Sequence, residues 1–130
     1  MALGYNWTTL ATTTVYRANG SETFYVEAKL NRQENNYSVI DTRSRSTVVN
    51  PVSGSGYAFY LTGASERSGT DVWTFDNETI LTGQYVVYHD EHGNASTTVT
   101  GGFHNTYWNI HEEISGSISL PRIPKAPFVS

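Results

Sequence analysis

The chain reads as an all-β protein, an antiparallel β-sandwich of about seven to nine strands with a jelly-roll-like or immunoglobulin-like topology. Three observations carry that reading. Nine Tyr and three Trp stand against a single Met, and ring and β-branched side chains fit a pleated surface better than a helix. No stretch of ten residues keeps apolar residues at i, i+3, i+4 and i+7 without an interrupting Gly or Asn. Short alternating segments instead recur at intervals of about a dozen residues, separated by Gly and Asn turns.

Taken in order, the Thr-rich run Thr8 to Tyr16 predicts a strand over 11–18, closed by the turn dipeptide Asn19-Gly20. Thr23 to Leu30 alternates cleanly, with Phe24, Val26, Ala28 and Leu30 on one face and Tyr25, Glu27 and Lys29 on the other. After the polar turn 31–36, Tyr37 to Val49 reads as one long strand or two with a bulge. The composition of Asn50 to Gly56 makes a loop. Strand returns over 56–62, with Tyr57, Phe59 and Leu61 on one face. Ser65 to Gly69 reads as a turn, Asp71 to Phe75 as a strand, and Asp76-Asn77-Glu78 as another turn.

The densest pattern runs from Gln84 to Pro124. Tyr85 to His89 and Ala95 to Thr100 flank the polar turn Asp90-Glu91-His92-Gly93-Asn94. A final strand then meets Leu120-Pro121-Arg122-Ile123-Pro124, where two prolines remove ladder donors. The chain is therefore expected to be one domain over 1–124, followed by a C-terminal linker or docking tail over 125–130.

Composition narrows the function classes. The 130 residues suit one domain with a real core. The formal net charge is −4, and Arg32, Arg43, Arg45, Arg67 and Arg122 are dispersed along the sequence. A nucleic-acid partner, which demands a basic face, is not expected. No apolar run approaches the roughly 20 residues of a membrane span, and the first residues lack a secretory leader pattern. Cysteine is absent, which removes disulfides, thiol catalysis and cysteine-ligated zinc.

The segments Tyr88 to Ser96 and Ser115 to Pro124 resemble a domain of siphophage tail-associated structural proteins, of the streptococcal and lactococcal type that infect Gram-positive bacteria. In that family a strand ends in His, a short Asn/Asp-Gly turn follows, and the domain closes on a Leu-Pro-x-Ile-Pro step. Tyr25 to Leu30 and Asn35-Asn36-Tyr37-Ser38 resemble it more loosely. One departure is that Asp90-Glu91-His92 precedes Gly93 where the family commonly carries Asn-x-Asp. The resemblance implies a place in a virion tail or baseplate assembled in the host cytoplasm. It also implies other tail proteins as partners, self-association, and attachment to the host surface without catalytic residues.

Several clusters invite chemistry. His89, Asp90, Glu91 and His92 could ligate a divalent cation, but their spacing matches neither an EF-hand nor a zinc helix and a solvated hairpin turn explains them. No cofactor is expected. Phe103 to His111 crowds His104, Tyr107, Trp108, Asn109 and His111 together. On an exposed edge these form a carbohydrate-binding candidate, with rings stacking on sugar faces and Asn and His bonding hydroxyls; alternatively Trp108 fills the core between sheets. Trp7 with Tyr5, and Trp73 with Asp71 and Asp76, are secondary candidates for the same role. Adjacent Glu112 and Glu113 point to opposite faces of a strand and cannot form a glycosidase pair by themselves. The expected function is thus a non-enzymatic tail or baseplate module, with a module for host cell-wall polysaccharide as the alternative and a glycosidase as the least supported.

Overall fold

A computed structural model describes residues 2–17, 20–47, 52–53, 57–69, 72–73, 78–105 and 110–124. Ten strands are assigned among them: β1 Thr8–Arg17, β2 Gly20–Gln33, β3 Tyr37–Ser46, β4 Val52–Ser53, β5 Tyr57–Leu61, β6 Arg67–Gly69, β7 Val72–Trp73, β8 Glu78–Tyr88, β9 Ser96–Asn105 and β10 Ile110–Ser119. They form two four-stranded antiparallel sheets, ordered β1-β2-β3-β8 and β10-β9-β5-β6, and a small β4-β7 ribbon. The all-β antiparallel sandwich follows directly from the alternation in the sequence.

The core lies between the two large sheets. Phe24, Val26, Ala28 and Leu30 of β2 and Ile40 of β3 face Phe59, Leu61, Val99, Phe103 and Ile118 of the other sheet. Phe103 is the hinge of this packing, meeting Phe24 edge-on at 5.4 Å and Phe59 at 5.7 Å between ring centroids. Such aromatic pairs add about 0.5–1.5 kcal/mol beyond area burial. The inner face of β3 continues as Thr42, Ser44 and Ser46, all buried. Thr42 Oγ1 resolves its polarity by donating to the Thr62 carbonyl at 2.8 Å, which ties β3 to the end of β5.

Three expectations change, and one of the two alternatives left open for β3 is chosen. β3 runs unbroken; its register against β8 shifts between Ser44 and Arg45, where β8 carries an extra residue, and Ile80 is buried in the core. β8 is one strand through Gly83, because ladder pairing with β3 outweighs the weak propensity of a single Gly. Residues 67–69 are strand β6, not turn, since Arg67 pairs opposite Phe59 and gives Nη1 to the Ile80 carbonyl at 3.0 Å. The turn lies earlier, at Leu61 to Ala64, closed by Ala64 N–H to the Leu61 carbonyl at 3.0 Å. Finally, Glu27 projects from the outer face as expected, yet is only 5% exposed, because two arginines cover it.

The hairpin turn and the proline-bearing segment make one contact. Leu120 is buried and its N–H reaches the Ala95 carbonyl at 2.9 Å; Ile123 N–H reaches the Gly93 carbonyl at 2.9 Å. Arg122 Nε donates to the His92 carbonyl at 2.8 Å, and Gln33 Nε2 to the Pro121 carbonyl at 2.8 Å. The segment 120–124 is thus docked on the β8–β9 turn. The residues 125–130, read as linker or docking tail, lie outside those described.

Candidate functional site

Of the residues singled out around 103–111, Tyr107, Trp108 and Asn109 lie outside the described residues. His104 and His111 stand directly opposite each other across β9 and β10, their rings edge-on with centroids 6.3 Å apart. Their third neighbour, Tyr60 on β5, carries no signal in the sequence. Its ring lies across Gly102, where any Cβ would run into the Tyr60 ring and the Glu112 carbonyl. Its hydroxyl meets His111 Nε2 at 3.2 Å and donates to Glu113 Oε2 at 2.9 Å. Burial, then the bond to the Glu113 carboxylate and its charge, push the Tyr60 phenol up to about 12. A raised phenol stabilises the fold in full below its ordinary value of 10.0 and ceases to do so as pH rises through about 12. Tyr60→Phe should therefore flatten the alkaline loss of stability over that interval, as read by urea unfolding at stepped pH; an unchanged alkaline limb would contradict the arrangement.

The cluster at 89–92 is a turn. Asp90 Oδ1 accepts from the N–H groups of Asn94 at 2.8 Å and His92 at 2.9 Å. These bonds, with that from Asn94 the stronger influence, hold its carboxyl below the ordinary range. His89 Nδ1 faces the Gly93 carbonyl at 2.7 Å, so it must carry the proton there, and Nε2 is hydrogen-bonded to the Ser38 hydroxyl at 2.6 Å. Among the described residues no three His, Asp or Glu side chains stand together as metal ligands.

The better-formed site belongs to Trp7, until now a secondary candidate. Register fixes the ground beneath it: Glu27 pairs with Arg43 and Lys29 with Asp41, while Thr82 pairs with Arg43 and Gln84 with Asp41. All these side chains consequently rise from one outer face. Trp7 precedes β1 and lies over this face, with Arg43 Cζ at 4.2 Å and Lys29 Nζ at 5.0 Å from its ring centroid. Cation–π attraction of this kind is worth about 0.5–1 kcal/mol at exposed positions. Beside the ring opens a groove of ≈ 580 Å³ lined in part by Asp41, Ser65, Thr82 and Gln84. Asp41 is itself oriented: Oδ1 accepts from Gln84 Nε2 at 2.8 Å and Oδ2 from Asn31 Nδ2 at 2.9 Å. Along β8 the same face continues through exposed Val86 and Tyr88, the latter packed on Tyr37 at 5.6 Å.

Under this surface sits an ion cluster that holds it in shape. Glu27 Oε1 takes Arg43 Nε at 2.7 Å and Arg45 Nε at 2.6 Å, and Oε2 takes the Thr9 hydroxyl at 3.0 Å. Arg45 in turn lies over Tyr25, 4.8 Å from the ring centroid. Two of the arginines that looked dispersed in the sequence, Arg43 and Arg45, thereby meet on Glu27, and Arg43 links the carboxylate below to the Trp7 ring above.

The fold and the site define an antiparallel β-sandwich that carries a polar, aromatic-flanked groove on one sheet. No family model and no curated protein matches the chain. Among solved structures it is similar to the GAE domain of GGA2p from Saccharomyces cerevisiae, with 14% identity and a TM-score of 0.44, over 86% of this chain and 99% of that one.

Proposed function

We propose that this chain is a non-catalytic module of a bacteriophage tail or baseplate, built into the virion by contacts with other tail proteins, and that it attaches to host cell-wall polysaccharide through the Trp7 groove. The tail assignment is supported by the resemblance at Tyr88 to Ser96 and Ser115 to Pro124. The attachment role is carried by one observation, the Trp7 ring braced on Lys29 and Arg43 beside an open groove lined by oriented polar groups. Sugar rings bury C–H faces on aromatic planes and satisfy their hydroxyls on fixed acceptors, and a shallow polar groove offers both.

Trp7→Ala should weaken binding to purified Gram-positive cell walls by about tenfold, the equivalent of about 1.4 kcal/mol, while circular dichroism stays unchanged. Trp7→Phe should recover part of the loss. Antibodies against the chain should decorate phage tails in negative-stain images. Labelling confined to capsids, or wall binding indifferent to Trp7, would refute the respective halves of the reading.

A further inference from the structure

The chemistry of the groove also says which kind of saccharide it fits, an inference that rests on the attachment reading above. Asp41 contributes a carboxylate whose two oxygens each accept one amide hydrogen, from Gln84 and from Asn31. A carboxylate has about four acceptor sites, so each oxygen keeps a lone pair. Gln84 gives one of its two Nε2 hydrogens to Asp41, which leaves one N–H to donate and its Oε1 to accept. The remaining polar side chains used here, Ser65 and Thr82, can donate or accept. The lining is therefore rich in acceptors, and what satisfies it is a ligand rich in donors.

Charge points the same way. Among the described residues no Lys or Arg lines the groove. Lys29 and Arg43 are close at hand but directed at the Trp7 ring, and Arg43 is further committed to Glu27. A sulfate, phosphate or uronate group entering the groove would meet the Asp41 charge, while the nearest cations, Lys29 and Arg43, are held over the Trp7 ring, an arrangement that disfavours anions. Two adjacent hydroxyls, by contrast, match the two free lone pairs on neighbouring oxygens of one carboxylate.

We infer that the groove beside Trp7 selects an uncharged saccharide presenting a free vicinal diol, which Asp41 grips with one hydroxyl on each carboxylate oxygen. Asp41 is then the specificity-determining residue, and Trp7 the platform.

The full chain would be tested by surface plasmon resonance against immobilised mannan, galactan and dextran as uncharged probes, and against poly(glycerol phosphate) and hyaluronate as anionic ones. Mild periodate, which cleaves vicinal diols, would be applied to each probe in parallel. The expected result is binding to at least one uncharged polysaccharide, lost tenfold or more after periodate and little changed by added salt. Asp41→Asn should lose tenfold or more on that probe with its circular dichroism intact, and Gln84→Ala should lose less. If only the anionic probes bind, if binding to them strengthens in Asp41→Asn, or if periodate leaves binding unchanged, the diol assignment falls while polysaccharide attachment stands. Absence of binding to either class would remove both.

Discussion

Glu27→Gln should be the most destabilising single-atom change on the outer face, lowering stability by about 3 kcal/mol. The wild-type carboxylate is 5% exposed and receives both Arg43 and Arg45 within 2.7 Å. Taking a charged partner out of a buried pair usually costs about 3–5 kcal/mol, because the remaining charge stays desolvated. The lower end applies here, since the two arginine side chains keep 25% and 21% exposure and so retain some water. For a domain of this size the melting temperature should fall by roughly 10 °C. A fall of under about 2 °C would mean that the cluster contributes no more than an exposed surface pair.

The same residue sets an acid limit. Burial alone would raise the Glu27 carboxyl, but the hydrogen bonds from Arg45, Arg43 and Thr9 outweigh it and hold the group below its ordinary 4.5. With a depressed folded value, the stabilisation is whole above 4.5 and is lost as pH falls through the lower, folded value. Denaturant unfolding of Glu27→Gln should accordingly show a flatter acid limb than wild type. Function follows from the same bond set, because Arg43 carries Trp7: wall binding by Glu27→Gln should weaken although Glu27 touches no ligand.

Period-two alternation made the core strands readable. Phe24, Val26, Ala28 and Leu30 are buried as their spacing demanded, and the prolines after Ser119 end β10 where ladder donors run out. What alternation cannot supply is register. Lys29, Asp41 and Gln84 lie far apart in sequence, and only the pairing of β2, β3 and β8 sets them side by side. The site was therefore invisible as a motif, although Trp7 itself stood out as an aromatic. The burial of Glu27 was hidden for the same reason, since its two arginines come from the neighbouring strand. Compositional crowding, which had favoured His104 and His111, located a real cross-strand pair but not its organising partner, Tyr60, some forty positions earlier in the chain.

Gly93→Ala should destabilise by about 3 kcal/mol, and it tests the union of turn and C-terminal segment. Gly93 has φ +82°, a left-handed conformation that costs an L-residue about 1–2 kcal/mol. A Cβ placed there would also run into the Ile123 carbonyl oxygen, so strain is not the whole cost. Relief requires the 120–124 segment to lift, sacrificing the Ile123 N–H to Gly93 bond and the Arg122 bond to His92. Each such bond contributes about 0.5–1.5 kcal/mol. Lifting also loosens Leu120 from the core and frees the Gly93 carbonyl that positions His89. Two outcomes separate these contributions. If conformational strain alone acts, Gly93→Asn, which tolerates the left-handed region better, should be nearly as stable as wild type. If the docked segment is the main loss, Gly93→Asn should be about as damaging as Gly93→Ala, and both should expose the Leu120 and Ile123 amides to hydrogen exchange. The position of the Ile123 carbonyl makes the second outcome the expected one.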